Sequence, residues 1–486
     1  MTLLVWVCET RKNQTQDISI TIHDLLNSIN DKQIKNEIIH RDHISSFMVE
    51  RQTYSLNLGK RDFHVHVNAK VCSELILSSK IQQYVKSKMW KKCRLFHATD
   101  FQSLMYPCFT FCYIIGIFPY KINASTFEFS KSHYIVSTVV VCVCCAFNLA
   151  YLYNIISTFN FEIKIRNLEI VCFYILNSFV IIITHILSGP RMRLLQTIME
   201  ISKRLSSKSY QKLSKLIHVK DIFGTIFVVV QVCLYIFQKR KNKNRTSIMH
   251  KVFALYQILL EFEINMLYIN CVCVLKASFK RIDENVAHLQ KIVVKPRVPT
   301  LICQTQRNQF LLIELKILKK QHLMISDAVQ MLNVIFSLQL LATILLTFCV
   351  ITFEIYSYAV RWQNGILINI DIQFIFTLFT SIGHYIIKMT LLVWACETSK
   401  NQAQEIITTV HDLLNSTNDE QIKNELQLFS LQILHCKNIF STKGLTMDAT
   451  LLAIIVGNIT IYLIILIQFL NTSHFCDGKT AINITI

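Results

Sequence analysis

The chain has 486 residues, of which 52% are hydrophobic and only 17% are charged, and its mean hydropathy is +0.39. Soluble domains usually carry about 25% charged residues, so this composition excludes an ordinary soluble protein and predicts an integral membrane protein. The net charge of +19 does not indicate nucleic-acid binding, because the basic residues lie between apolar runs, where they set topology and contact lipid head groups.

The first 96 residues form an N-terminal extension that contains one half of an internal repeat. Residues 1–38 match residues 389–426 with 28 of 38 positions identical, and the match ends abruptly. Two interpretations stay open: a fused fragment of a paralogue, which includes a gene-model artefact, or a real cytosolic extension. His64, His66 and Cys72 are only a weak indication of a metal, because structural zinc sites use four convergent ligands and a strand-like His-x-His pair is more often ordinary. We therefore expect neither a metal nor a cofactor.

Residues 101–122 are apolar but contain Pro107 and Pro119, so they predict a short re-entrant or interfacial helix instead of a full span. Seven longer apolar runs follow, and each predicts a transmembrane helix because a helix satisfies all its backbone groups within one segment. The sequence thus predicts an all-α, polytopic membrane protein whose receptor domain covers residues 97–470, followed by a short extracellular tail at 471–486. The predicted spans are residues 133–157, 168–187, 222–238, 252–275, 328–353, 365–396 and 449–470.

The orientation of the spans follows from the loop charges. With the N-terminus inside, the cytosolic loops 188–221, 276–327 and 396–448 hold 22 Lys and Arg, against 9 in the outside loops, which favours this orientation. The basic loop at residues 239–251 opposes it, since that loop would lie outside. Three sequons would also face outside and are candidate glycosylation sites: Asn244, Asn471 and Asn483.

The sequence carries no signature of an enzyme. It has no Gly-rich phosphate loop, no Gly-x-Ser-x-Gly and no His-Glu-x-x-His motif. Glu261 and Glu263 lie within the fourth predicted span, but residues two apart do not share a helix face. Each carboxylate either faces a water-filled cavity or stabilises a neighbouring helix, and both readings stay open.

Three stretches carry a family pattern: residues 100–122, residues 429–435, and the segment from Gly444 to Asp448 followed by the terminal signature Thr460, Tyr462, Gln468 and Phe469. Together they resemble the insect gustatory receptors, a branch of the seven-helix insect chemoreceptors. The similarity covers roughly residues 100–470. The family usually places Thr directly before the Tyr, whereas Ile461 stands there in this chain. The hydroxyl is therefore turned by about 100° around the helix.

The resemblance implies a ligand-gated, non-selective cation channel that is opened by a small-molecule tastant. It would lie in the plasma membrane of a gustatory neuron dendrite, as a homo- or hetero-tetramer with other gustatory receptors. The seventh helix would line the pore, with Gln468 as a polar ring and Ile464 or Ile467 as a hydrophobic constriction. Alternatively, Gln468 lies at the membrane interface or bonds a neighbouring helix.

The ligand pocket would lie among the outer halves of the second, third, fourth and sixth spans. Each candidate residue there could equally hold helices together. Two other functions remain as alternatives: a secondary transporter, and a receptor paralogue that has lost its activity. The candidate ligand-binding residues are Tyr256, Gln257, Glu261, Asp371 and Gln373.

Overall fold

Ten helices account for most of the part of the chain that is described in the computed structural model, namely residues 96–123, 126–157, 164–238, 246–294, 301–363 and 372–482. The predicted N-terminal extension, apart from Phe96, lies outside the described residues. The helices are α1 (Phe101–Ile114), α2 (Lys131–Ser157), α3 (Lys164–Ile186), α4 (Ser188–Ser202), α5 (Ser207–Gln238), α6 (Thr246–Val294), α7 (Leu301–Gln363), α8 (Ile372–Ser416), α9 (Glu420–His435) and α10 (Ala449–Ile482).

Two short antiparallel hairpins complete these elements, and the sequence analysis did not predict them. Strands β1 (Tyr120–Asn123) and β2 (Thr126–Phe129) pair between α1 and α2, with Tyr120 opposite Phe129. Strands β3 (Ser441–Thr442) and β4 (Leu445–Thr446) pair just before α10. Strands of two to four residues are too short to give an alternating pattern, so sequence periodicity does not reveal them.

Five of the seven predicted spans lie wholly within one helix; the second, residues 168–187, extends one residue beyond α3, and the sixth, residues 365–396, begins before α8 at residues outside those described. Among the described residues, six helices are long and apolar enough to cross a membrane. The all-α, multi-pass architecture is therefore confirmed. The third predicted span, residues 222–238, forms the second half of α5 and is not among the six; its 17 residues are at the lower limit for crossing a bilayer. The inside position of the N-terminus stays a prediction.

Helices α6, α7 and α8 contain 49, 63 and 45 residues, far more than the roughly 20 that span a bilayer. They continue into regions that the sequence analysis treated as loops, residues 276–327 and 396–448. That prediction was wrong, because hydropathy ends a span at the first charges even when the helix itself continues. The helical bundle therefore extends well beyond its apolar section.

The short helix predicted before the first span is α1. Its N-cap is Asp100, whose carboxylate accepts the Ser103 backbone N–H at 2.8 Å in a reciprocal capping box. Pro107 lies inside the helix without ending it; the helix ends two residues before Gly116, which has a φ of +81°. One face of α1 is buried against α5 and α6.

The start of α4 is anchored by a buried cation. The Arg191 guanidinium lies 5.0 Å from the ring centre of Phe336 on α7, and its Nη2 donates to Gln339 at 3.4 Å. Burial lowers the pKa of Arg191 from its ordinary value, and the opposing influence of Tyr120 and Cys112 partly offsets this. Arg191 therefore stabilises the contact between α4 and α7.

Helix α6 lies at the centre of the bundle. In its most apolar stretch 89% of the residues are buried, against 17% in α2 and in α10. Helix α5 approaches α6 closely at Gly224, where an added Cβ would lie 2.5 Å from the tip of the Phe262 ring. The ring is itself buried and packs near His384 of α8, so it has little room to move.

We expect Gly224→Val to destabilise the protein by about 1–3 kcal/mol, because the new side chain overpacks the α5–α6 contact. The measurement is thermal unfolding of the detergent-solubilised full chain. Gly383→Val is the matched control, since an added Cβ at Gly383 meets nothing within 4 Å. Equal unfolding temperatures for the two variants would contradict the close approach.

Candidate functional site

The β3–β4 hairpin fixes the point where α10 begins. Its two turn residues, Lys443 and Gly444, have φ values of 42° and 90°, as in the two-residue turn that suits twisted hairpins. Two polar side chains of α7 hold the hairpin. The Asn333 amide donates to the Ile439 carbonyl at 2.8 Å, and the Ser337 hydroxyl accepts the Lys443 backbone N–H at 3.1 Å. The start of α10 therefore moves with α7.

Helix α10 packs on the rest of the chain through one narrow stripe. Leu451, Ile455 and Ile459, four residues apart, are buried against α7 and α8. Further along, Tyr462 is 51% exposed, and its ring is roughly perpendicular to that of Phe348, with the ring centres 5.5 Å apart. Leu452 and Leu463 also pack against the core, and most of the other described side chains of α10 are exposed.

The predicted pore residues lie on this open surface. Thr460, Ile464, Ile467 and Gln468 are all exposed, and Ile464 is 52% exposed. Gln468 follows Ile459 by nine residues, which places it about 180° from the buried stripe. The Thr460 hydroxyl donates to the Val456 carbonyl at 2.9 Å, so its hydrogen bond is made within the helix.

Two other exposed residues of α10 are Phe469, which belongs to the terminal signature, and Ile461, which stands where the family usually has Thr. Phe469 is exposed and lies about 100° around the helix from Gln468, on the side away from Ile467. Ile461, where the family usually has Thr, is exposed next to the pore residues. The apolar side chain at this position is compatible with either lipid or another subunit.

The predicted ligand residues on α6 make contacts within the chain. The Tyr256 hydroxyl donates to the Ile115 carbonyl at 2.8 Å, just after α1. The Gln257 amide donates to Asn148 of α2 at 2.5 Å, and both side chains are buried. These two residues thus connect α6 to two other elements.

Glu261 lies one turn further along α6 and forms a buried ion pair that the sequence analysis missed. The Lys388 ammonium of α8 lies 2.9 Å and 3.1 Å from its two carboxylate oxygens, and the side chains are only 1% and 3% exposed. Asn265 donates to Glu261 at 2.7 Å, and the Lys388 ammonium lies 4.3 Å from the ring centre of Tyr385. The carboxylate is thus fully paired inside the bundle.

A second carboxylate lies near the far end of α7. The Ser381 hydroxyl of α8 donates to Glu354 Oε1 at 2.6 Å, while the other oxygen, Oε2, is buried without a hydrogen-bond partner. Glu354 acts electrostatically on Tyr385, the ring that Lys388 faces. Lys388 and Ser381 are polar residues inside a predicted span, and Glu354 directly follows another; their positions were the signal that could have revealed them.

Several predicted residues fall where little or nothing is described. Asp371, Asn244 and Asn483 lie outside the described residues. The backbone of Gln373 lies in α8 and that of Asn471 in α10, but their side chains are outside what is described. Their proposed roles stay predictions.

A cavity of about 180 Å³ lies among α4, α6 and α7. Pockets for small organic ligands usually measure about 300–1,000 Å³, so this cavity is small for a tastant. It falls in the region predicted to be cytosolic, and its polar lining includes Glu200, Arg204, Ser278, Arg281 and Gln321.

We expect Lys388→Met to lower stability by about 3–5 kcal/mol, because it leaves the buried Glu261 carboxylate without its counter-charge. The double variant Glu261→Gln/Lys388→Met is expected to recover most of the loss, as measured by thermal unfolding in detergent. Arg281→Met is the control, since its pair with Glu284 is 3.8 Å long and exposed, and its loss is expected to cost below about 1 kcal/mol. A double variant no more stable than Lys388→Met would contradict the pairing.

Comparisons with known proteins agree with this multi-pass helical architecture. The model of the family described as 7tm chemosensory receptor matches residues 105–470. Gustatory receptors 28b and 28a of Drosophila melanogaster are each 32% identical to this chain, over 157 and 163 residues. These matches cover 31% and 33% of this chain and 33% and 36% of the relatives, so the chain spans about a third of the length of the curated relatives it matches.

The fold is also similar to that of a solved receptor. The insect olfactory receptor OR5 from Machilis hrabei aligns with a TM-score of 0.60 at 10% identity, over 76% of this chain and 98% of that chain. The structure of the same receptor in complex with eugenol gives a TM-score of 0.59. At this identity the likeness shows the fold alone. The family match, which covers most of the chain, confirms the predicted receptor class and the expectation of no enzyme: the chain belongs to the 7tm chemosensory receptor family.

Proposed function

We propose that this chain is a subunit of a ligand-gated, non-selective cation channel that detects small-molecule tastants. It would act in the plasma membrane of a gustatory neuron, at the dendrite. The observation that carries the proposal is the open face of α10, where Thr460, Ile464 and Gln468 lie exposed opposite a narrow packed stripe.

The composition of α10 supports an assembly of several subunits. Polar side chains within a span face protein or water and avoid lipid. In one isolated subunit the Gln468 side chain is exposed. Four copies around one axis, or a mixture with other gustatory receptors, would bring the Gln468 amides together. The same arrangement would stack Ile464 and Ile467 into an apolar constriction that gates by dewetting.

The ligand would act on the polar residues between α2, α6 and α8. Tyr256, Gln257 and Glu261 already have partners on other elements, so a ligand can act there by exchanging one of these contacts. Such an exchange would shift the position of one helix relative to another, as a gating ligand requires. Asp371 and Gln373 remain candidates for the same pocket.

The described helices support a channel over a secondary transporter. Transporters commonly bind their substrates at discontinuous helices in the middle of the membrane. Helices α6, α7 and α8 run without interruption through their apolar sections. A receptor paralogue without activity has the same architecture, and the experiment below separates it from an active channel.

The test is whole-cell current in cells that express the full chain, alone and with a co-expressed gustatory receptor, against a panel of sugars, bitter compounds and amino acids. We expect a tastant-evoked cation current without added G protein. Gln468→Ala is expected to change ion selectivity or pore block, because it removes the polar ring. Val334→Ala on α7 is the control, since Val334 is an exposed residue away from α10.

Unchanged current, block and selectivity in Gln468→Ala would contradict the pore assignment. Silence in both expression formats, despite confirmed surface expression, would favour the inactive paralogue for this panel. Recording residues 97–486 in parallel tests the extension: an equal current shows that the first 96 residues are dispensable.

A further inference from the structure

Three potential metal ligands converge where α1 packs against α6. Cys108 and Cys112 lie one helical turn apart on α1, and Glu263 faces them from α6. Their two sulfur atoms and one carboxylate oxygen all lie within 4.8 Å of one another. The side chains are 0%, 1% and 2% exposed, so bulk water does not compete for this group.

The spacing of the cysteines suits a metal ion. Residues at i and i+4 project from the same face of a helix, and helical zinc motifs place two ligands in this way. Zinc binds thiolate sulfur at about 2.3 Å in a tetrahedron, which puts neighbouring ligand atoms about 3.5–3.8 Å apart. Small side-chain rotations would bring the three atoms from their present separations to these distances.

The surrounding charges also fit a divalent cation. Lys220 and Asp221 on α5 form a buried ion pair beside Glu263, and Arg191 interacts electrostatically with Cys112. With both thiols protonated, the two cations balance the carboxylates of Glu263 and Asp221. Replacing the two thiol protons by one divalent cation leaves the net charge of the group unchanged. The two protons are released to solvent.

We propose that Cys108, Cys112 and Glu263 bind one Zn²⁺ ion, which fastens α1 to α6. Two thiolates favour zinc over magnesium or calcium, and a water molecule would complete the tetrahedron. The Thr225 hydroxyl of α5 donates to Glu263 Oε1 at 3.3 Å and so orients the carboxylate, as outer partners of metal ligands do. The sequence analysis missed this site because the carboxylate is distant in sequence from the two cysteines.

The first experiment measures metal content. The full chain is expressed with added zinc, purified in detergent, washed with a weak chelator and assayed by elemental mass spectrometry. We expect about one zinc per chain in the wild type and background levels in Cys108→Ser and Cys112→Ser. Cys396→Ser is the matched control, since Cys396 is equally buried but lies on α8 outside the cluster, and it is expected to keep its zinc.

The second experiment does not depend on how well the cysteine variants fold. Wild-type protein loaded with Co²⁺ is expected to show a thiolate-to-cobalt charge-transfer band in the near ultraviolet. Glu263→Gln, which keeps both thiols, is expected to weaken zinc binding at least about tenfold in chelator competition. A zinc-free wild type, a bound cobalt ion without the thiolate band, or equal zinc in Cys108→Ser and Cys396→Ser would each overturn the proposal.

Discussion

The ion pair between Glu261 and Lys388 is the constraint around which the bundle is built. Helix α6 is buried on nearly every side. Its polar side chains therefore cannot hydrogen-bond to water and need partners on neighbouring helices. Glu261 finds Lys388 on α8, and Gln257 finds Asn148 on α2. Each pair can form at only one rotation of α6 about its axis and at one position of α6 along that axis. The apolar surface would allow α6 to slide or turn, and these polar contacts prevent it.

Local features of the sequence predict most of the fold. The apolar runs were located by composition alone, because a bilayer requires a run of about 20 apolar residues wherever a helix crosses it. The parts of α6, α7 and α8 beyond their apolar sections were missed for the same reason, since charged helical turns resemble loops by hydropathy. The pairing of Glu261 with Lys388 was missed because a contact between distant residues leaves no periodic trace in the chain. The exposed signature of α10 was identified by family resemblance, and its exposure required the three-dimensional structure.

Helix α10 has one side that packs within the subunit and another side that is exposed. A stripe of Leu451, Ile455 and Ile459 satisfies the packing within the subunit, while the opposite side keeps Thr460 and Gln468. Gln468 would be unfavourable against lipid, and neither polar residue contributes to the core of this chain. Their presence is understandable when the fold of one chain is only part of the functional unit. The same reasoning explains why the most apolar helix is also among the least buried.

The continuous length of α7 has a mechanical consequence. Its 63 residues form a rod about 95 Å long, and a rod of this kind tilts as a whole. Glu354 and Ser337 lie on it about 26 Å apart, the first beside α8 and the second holding the hairpin that starts α10. A displacement of α7 at Glu354 therefore also displaces Ser337, because the helix between them is continuous. In the proposed channel such a lever would work in both directions, so a molecule that displaces α10 would also change the packing of Glu354 against α8.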